Sequence, residues 1–158
     1  AISILGDLPQ VKVFDLAHRT EHSLEVELPF LQRTLEAGFL VTPLVVGRAT
    51  DEGGQEAIER LWGGAETRFV LSSDLSHYMD YTSAHRTDRE TADMIEAFEV
   101  DPLVSSRACG YRVLRGFLRA ALRRHHRGLA VDLRNSGDTA GPRHEVVGYG
   151  AFHFGSNG

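Results

Sequence analysis

The sequence of 158 residues contains a single cysteine, Cys109. One cysteine excludes a disulfide bond within the chain and a zinc site built on a CxxC pair. If Cys109 takes part in chemistry, it therefore acts as a lone thiolate or as one soft metal ligand.

The sequence also lacks an excess of basic residues and any long apolar run. It has 22 acidic and 17 basic residues and a formal net charge of −5, which does not favour direct binding to nucleic acid. No stretch approaches the roughly 18 apolar residues of a membrane span. The first ten residues lack the basic and apolar segments of a signal peptide. We expect a cytoplasmic protein that binds neither nucleic acid nor membrane.

Strand-like and helix-like segments alternate along the chain. Strands are predicted at 11–16, 40–47 and 67–74, and the continuous apolar run at 40–47 is typical of a strand buried on both faces. Two closing strands are predicted at 129–138 and 145–154. Helical patterns begin at Ser23, Gln55 and Ser83, and a long helix within 101–128 has an apolar face whose first member is Val113.

This order predicts the α/β fold class. We expect a three-layer sandwich with a mostly parallel or mixed central sheet that helices cover on both faces. The last two strands are expected to pair in the antiparallel direction.

Asp74 and His77 follow the predicted strand 67–74 in the stretch VLSSDLSHY (70–78). Ligands of α/β proteins tend to bind at the carboxyl ends of strands, and if the chain turns helical after Ser73, a spacing of three lets both side chains face one cleft. An imidazole that a carboxylate orients suits a general base or a metal ligand. Spacing alone favours equally an alternative in which Ser73 and Asp74 only cap a helix.

Two further residues occupy predicted helix starts. His22 precedes the candidate N-cap Ser23 and can point into the space above that helix. Cys109 lies beside Gly110 at the start of a long helix, where the helix dipole favours a thiolate. A buried free cysteine that acts as a small hydrophobic residue is the commoner case, and composition alone favours that interpretation.

Five blocks in a fixed order span nearly the whole chain. Together they resemble the Memo family, whose prokaryotic group is called AmmeMemoRadiSam system protein B and is similar in fold to class III extradiol dioxygenases of the LigB type. The blocks are EHSLEVELPFLQ (21–32), TPLVVG (42–47), VLSSDLSHY (70–78), ACGYRVLRGFLRAAL (108–122) and SGDTAGPRHEVVGYGAFHF (136–154).

The resemblance implies a set of site residues. His22, Asp74 and His77 would line the cleft as catalytic residues, and Cys109 would be a ligand of iron or copper. Two further histidine ligands lie in N-terminal motifs of the family, PHAGY and PSHH, that this sequence does not contain. We therefore expect residues 1–158 to form a single Memo-like domain that lacks its N-terminal part.

The resemblance also implies a function and an alternative. The first is a metal-dependent redox enzyme of dioxygenase-like fold, although a cysteine in place of a carboxylate ligand argues against ordinary catechol cleavage. The alternative is a binding or adaptor module that holds a peptide or partner protein in the same cleft. A hydrolase that uses Cys109 and His77 stays a third possibility. The implied partners are a small molecule or peptide, together with AMMECR1-like and radical SAM proteins.

Overall fold

The computed structural model describes residues 2–156. The strands described form one sheet in the order β1-β3-β2, and both pairings are antiparallel. The strands are β1 (His77–Met79), β2 (His126–Asn135) and β3 (Val146–Ser156). The α-helices are α1 (Ile2–Leu5), α2 (Asp15–His18), α3 (Ser23–Thr34), α4 (Asp51–Leu61), α5 (Tyr81–Glu96) and α6 (Tyr111–Arg123).

Two of the helices begin earlier than their apolar patterns predict, because polar caps precede those patterns. The hydroxyl of Thr50 accepts the backbone N–H of Gly53 at 3.0 Å, so α4 begins at Asp51 rather than Gln55. The carboxylate of Asp80 caps α5 in the same way, accepting the N–H groups of the second and third residues of that helix at 3.0 Å each.

The core lies between the helices and one face of the β2–β3 ribbon. Helices α5 and α6 pack on this face, and α4 packs on α6. Phe117 of α6 lies at the centre, with ring centroids 5.9 Å from Trp62, 6.1 Å from Phe69 and 4.9 Å from Phe154. Burial of large aromatic groups of this kind stabilises a small domain strongly. The second half of the chain therefore holds most of the hydrophobic core.

The α/β fold class is confirmed, but within residues 2–156 the predicted strands at 11–16, 40–47 and 67–74 are not formed. Residues 40–47 and 67–74 have no regular secondary structure, and α2 begins inside 11–16. The prediction failed because apolar content shows that a segment suits a strand but does not supply the neighbouring strand that its backbone groups require. Leu40 is 96% exposed and Val13 is 80% exposed, so the segments 11–16 and 40–47 are not buried within the described chain. In 67–74, by contrast, Phe69 and Leu71 pack against the core.

Helical cover on both faces of the sheet is also not what the structure shows. The outer face of the β2–β3 ribbon is exposed at Leu129, Val131 and Tyr149. Buried and exposed side chains therefore alternate along β2 and β3, as they do in antiparallel sheets with one solvated face. No helix within residues 2–156 has the length and apolar character that a membrane crossing requires.

Two glycines, Gly54 and Gly116, lie at the crossing of α4 and α6. A Cβ atom on Gly116 would lie 2.9 Å from the backbone carbonyl carbon of Gly54 and 3.0 Å from the backbone nitrogen of Gln55. A Cβ atom on Gly54 would find its nearest neighbour at 3.7 Å, which is ordinary van der Waals contact. The two positions therefore differ sharply in tolerance although they face each other.

We expect Gly116→Ala to lower the free energy of unfolding by about 1–2 kcal/mol, because two backbones must move apart. Gly54→Ala is the matched control, and we expect it to be neutral or to stabilise by up to about 1 kcal/mol through helix propensity. Urea unfolding of both variants measures the difference. Equal stability of the two variants would contradict the close approach described here.

Candidate functional site

The segment that precedes β1 is joined to the segment that precedes α6. The backbone N–H of Cys109 donates to the carbonyl oxygen of Asp74 at 3.1 Å, and the backbone N–H of Asp74 donates to Sγ of Cys109 at 3.2 Å. These two bonds run in opposite directions between residues 35 positions apart in sequence. We call this pair of bonds the Asp74–Cys109 junction.

Ser73 reinforces the junction. Its hydroxyl oxygen accepts the backbone N–H of Gly110 at 2.9 Å and lies 3.6 Å from Sγ of Cys109. A Cβ atom on Gly110 would lie 2.8 Å from Cβ of Ser73, so only a glycine permits this approach. The glycine in the ACGYR stretch thus serves the contact between the two segments.

His77 lies at the start of β1 beside the junction. Its Nδ1 lies 3.0 Å from the carbonyl oxygen of Leu75, and its Nε2 lies 3.4 Å from Oδ2 of Asp74. The Leu75 carbonyl oxygen only accepts, so this contact is a hydrogen bond when Nδ1 carries the proton, and the Asp74 carboxylate would likewise accept a proton from Nε2. When the proton of the neutral ring lies on Nδ1, Nε2 carries the lone pair and can accept a second proton next to a carboxylate.

These contacts decide between the interpretations that the sequence left open. Residues 77–79 form a strand, and α5 has its own cap at Asp80, so the interpretation of Ser73 and Asp74 as a helix cap is wrong. Cys109 is exposed, so its interpretation as a buried hydrophobic residue is also wrong. Asp74, His77 and Cys109 are brought together as one group.

His22 is the one predicted site residue that this group does not include. It is exposed and precedes α3, a helix that buries none of its residues. Its backbone N–H donates to the carboxylate of Glu21 at 2.9 Å. Among the contacts of residues 2–156, no hydrogen bond or ion pair joins His22 to Asp74, His77 or Cys109. Its place in the site stays a prediction.

Tyr78 follows His77 directly and has an uncommon backbone conformation. Its φ is +58°, in the left-handed region that bulky residues rarely adopt. Its side chain is 76% exposed, and its ring centroid lies 5.7 Å from that of His77. The turn therefore places an exposed aromatic ring beside the imidazole.

Asp88 of α5 lies behind the turn and was not predicted from the sequence. The residue is only 3% exposed, and its Oδ1 accepts the backbone N–H of Ser76 at 3.0 Å. Burial raises the pKa of the Asp88 carboxyl above its ordinary value, and the hydrogen bond from Ser76 opposes that rise. A Cβ atom on Gly148 of β3 would collide with this carboxyl, so Gly148 makes room for it.

A sequence signal for Asp88 exists. It occupies the buried stripe of α5, between Ala84 and Ala92 at intervals of four residues. A carboxylate at an apolar position of a helix is uncommon unless it is paired or functional. Asp88 is thus the one ionisable residue on the buried face of α5, and it calls for an explanation.

The donor atoms present fit part of a metal site. Sγ of Cys109 is exposed and is a soft ligand of the kind that iron and copper accept. Within the part of the chain that the structure describes, no three His, Cys, Asp or Glu side chains converge as a metal site requires. Cys109 can therefore supply one ligand, and the remaining ligands have to come from elsewhere.

Comparison with known proteins supports the family resemblance of the five sequence blocks between residues 21 and 154. The family model described as Memo-like protein matches residues 7–153. The chain belongs to this family.

Several archaeal relatives carry the name MEMO1 family protein. The one from Methanosarcina mazei is 32% identical over 96% of this chain and 60% of its own length. The one from Methanococcoides burtonii is 34% identical over 93% of this chain and 61% of its own length. The one from Nitrosopumilus maritimus is 27% identical over 98% of this chain and 60% of its own length. The chain thus spans about 60% of the length of the curated relatives it matches.

The junction makes a prediction for amide hydrogen exchange. Cys109→Ala removes the acceptor of the Asp74 N–H, and we expect this amide to exchange about tenfold faster. Cys109→Ser keeps an acceptor, so most of the protection should remain. NMR-detected exchange measures both, with the amide of Ala84 in the first turn of α5 as an internal control. Unchanged protection of Asp74 in Cys109→Ala would contradict the N–H to Sγ bond.

Proposed function

We propose that Asp74, His77 and Cys109 form one side of a metal-dependent redox site with dioxygenase-like chemistry. The observation that supports this proposal is the junction, because it joins a soft sulfur ligand to the segment that carries a histidine and a carboxylate. Membership of the Memo-like family is consistent with it. The substrate class we propose is a small molecule or a short peptide.

In this proposal His77 is the general base. With the proton on Nδ1, which lies 3.0 Å from the Leu75 carbonyl oxygen, Nε2 takes a proton from a bound substrate. The Asp74 carboxylate, 3.4 Å away, then stabilises the imidazolium that forms. With side chains 30% and 47% exposed respectively, His77 and Asp74 remain accessible to a ligand.

Cys109 is the proposed metal ligand, and iron or copper is the proposed metal. A bound iron or copper ion would supply electron transfer to dioxygen or to the substrate. The N–H of Asp74 donates to Sγ and helps to stabilise negative charge on the sulfur. Two further ligands and the contribution of His22 are proposed from the family resemblance. AMMECR1-like and radical SAM proteins are the proposed partners on the same basis.

Metal analysis of the protein at its full encoded length, purified without oxygen, tests the role of Cys109. We expect about one iron or copper ion per chain in the wild type, and a loss of about tenfold or more in Cys109→Ser, because a hydroxyl is a poor soft ligand. Mass spectrometry of the metal content gives the readout. Equal metal in Cys109→Ser and wild type, or no metal in either, would contradict the proposal.

His77→Ala tests the base separately. We expect the variant to keep its metal but to consume dioxygen with ascorbate about 10²-fold more slowly, since a positioned base contributes that order of rate. His153→Ala is the matched control, because His153 lies on the exposed face of β3. Unchanged dioxygen uptake in His77→Ala would remove the residue from the mechanism.

A second candidate function is a binding module that uses the same surface. The exposed ring of Tyr78 beside His77 favours it, since exposed tyrosines are common anchors in peptide recognition. In that case Tyr78→Ala weakens peptide binding by tenfold or more, whereas Cys109→Ser leaves it unchanged. If the metal-site proposal holds instead, Cys109→Ser lowers the metal content and the rate of dioxygen uptake more than Tyr78→Ala does.

A further inference from the structure

One peptide unit connects the buried carboxyl of Asp88 to the imidazole of His77. The N–H of Ser76 donates to Oδ1 of Asp88 at 3.0 Å. The carbonyl oxygen of Leu75, which belongs to the same peptide unit, lies 3.0 Å from Nδ1 of His77. The order of groups is therefore carboxyl, peptide, imidazole, with one hydrogen bond at each step.

The peptide is held in place on both sides of this chain of bonds. Leu75 donates its own N–H to the carbonyl of Gly148 at 2.8 Å, and Gly148 donates its N–H to the carbonyl of Ser76 at 2.8 Å. The Ser76 N–H therefore points away from β3 and towards α5, where Asp88 accepts it. Leu75 and Ser76 are 2% and 0% exposed, so water does not compete for these groups.

The buried carboxyl of Asp88 lowers the stability of the fold, so its presence indicates another role. Its Oδ2 and the hydroxyl of Ser76 are both buried without a hydrogen-bond partner among the described residues. A buried polar atom without a partner destabilises a protein by about 1–3 kcal/mol. Gly148 is also constrained to lack a side chain so that the carboxyl fits.

We propose that Asp88 is a positioning residue of the site, which holds the Leu75–Ser76 peptide so that the Leu75 carbonyl selects the tautomer of His77 with the proton on Nδ1. A carboxyl oxygen that accepts the N–H polarises the peptide and makes its carbonyl a stronger acceptor. Asp74 favours the other tautomer, since its Oδ2 lies 3.4 Å from Nε2, but the Leu75 carbonyl oxygen at 3.0 Å from Nδ1 is the closer acceptor. The selected tautomer leaves Nε2 without a proton. Asp88 thus acts on the site through a peptide and touches no reacting atom.

The inference rests on the proposed function only where it treats His77 as the base, and its test needs neither metal nor turnover. The readout is the ratio of the two neutral tautomers of His77, taken from imidazole 15N chemical shifts at alkaline pH, where an imidazole is neutral. The His77 signals are assigned by their loss in His77→Gln.

In the wild type we expect the form with the proton on Nδ1 to dominate. Asp88→Ala removes the acceptor, and we expect the ratio of this form to the other to fall about tenfold. Asp88→Asn keeps an uncharged oxygen acceptor, so its ratio should fall about threefold and lie between the two. Asp93→Asn on the exposed side of α5 is the matched control and should leave the ratio unchanged.

Two results would overturn the inference. One is a wild-type protein in which the proton of neutral His77 lies mainly on Nε2, a measurement that does not depend on whether any variant folds. The other is an unchanged tautomer ratio in Asp88→Asn with a well-dispersed backbone spectrum. If metal binding fails while the tautomer ratios behave as expected, the proposed redox function is wrong and the positioning role of Asp88 stands.

Discussion

The two opposed hydrogen bonds between Asp74 and Cys109 are the interaction on which the site depends. Helix α5 separates these residues in sequence, and each lies in a segment without regular structure. The junction, together with the bond from the Gly110 N–H to the Ser73 hydroxyl, holds the sulfur near the carboxylate and imidazole. The bond from the Cys109 N–H to the Asp74 carbonyl joins two backbones, whereas the bond from the Asp74 N–H to Sγ also requires the side-chain rotamer that Cys109 adopts. The small residues Ser73 and Gly110 allow the segments to approach.

The site extends inwards from this surface to the core. Asp88 and Gly148 occupy positions where an apolar pair would pack more favourably, and the fold keeps a partly satisfied carboxyl instead. Such local conflicts with packing rules are expected where a structure serves a function. The aromatic cluster around Phe117 and the tight α4–α6 crossing provide stability that can offset this cost.

The sequence predicted those parts of the molecule that local patterns determine. Helical periodicity located α3, α5 and α6, and the last two strands pair as an antiparallel ribbon, as expected. The motif around Asp74 and His77 was found because it follows an apolar run. The same reasoning failed at 40–47, since pairing depends on a neighbour that a local pattern does not reveal. Asp88 was not predicted, because helical periodicity was used only to locate apolar faces. A polar residue on such a face was not considered as a signal.

A double-mutant cycle between Ser73 and Cys109 tests the junction most directly. The free energy of unfolding is measured for Ser73→Ala, Cys109→Ala and the double variant. Because Ser73 and Cys109 touch each other and bind the same two segments, the account predicts a coupling energy of about 0.5–1.5 kcal/mol. Additive effects, with a coupling energy near zero, would mean that the side chains of Ser73 and Cys109 do not join the two segments as described.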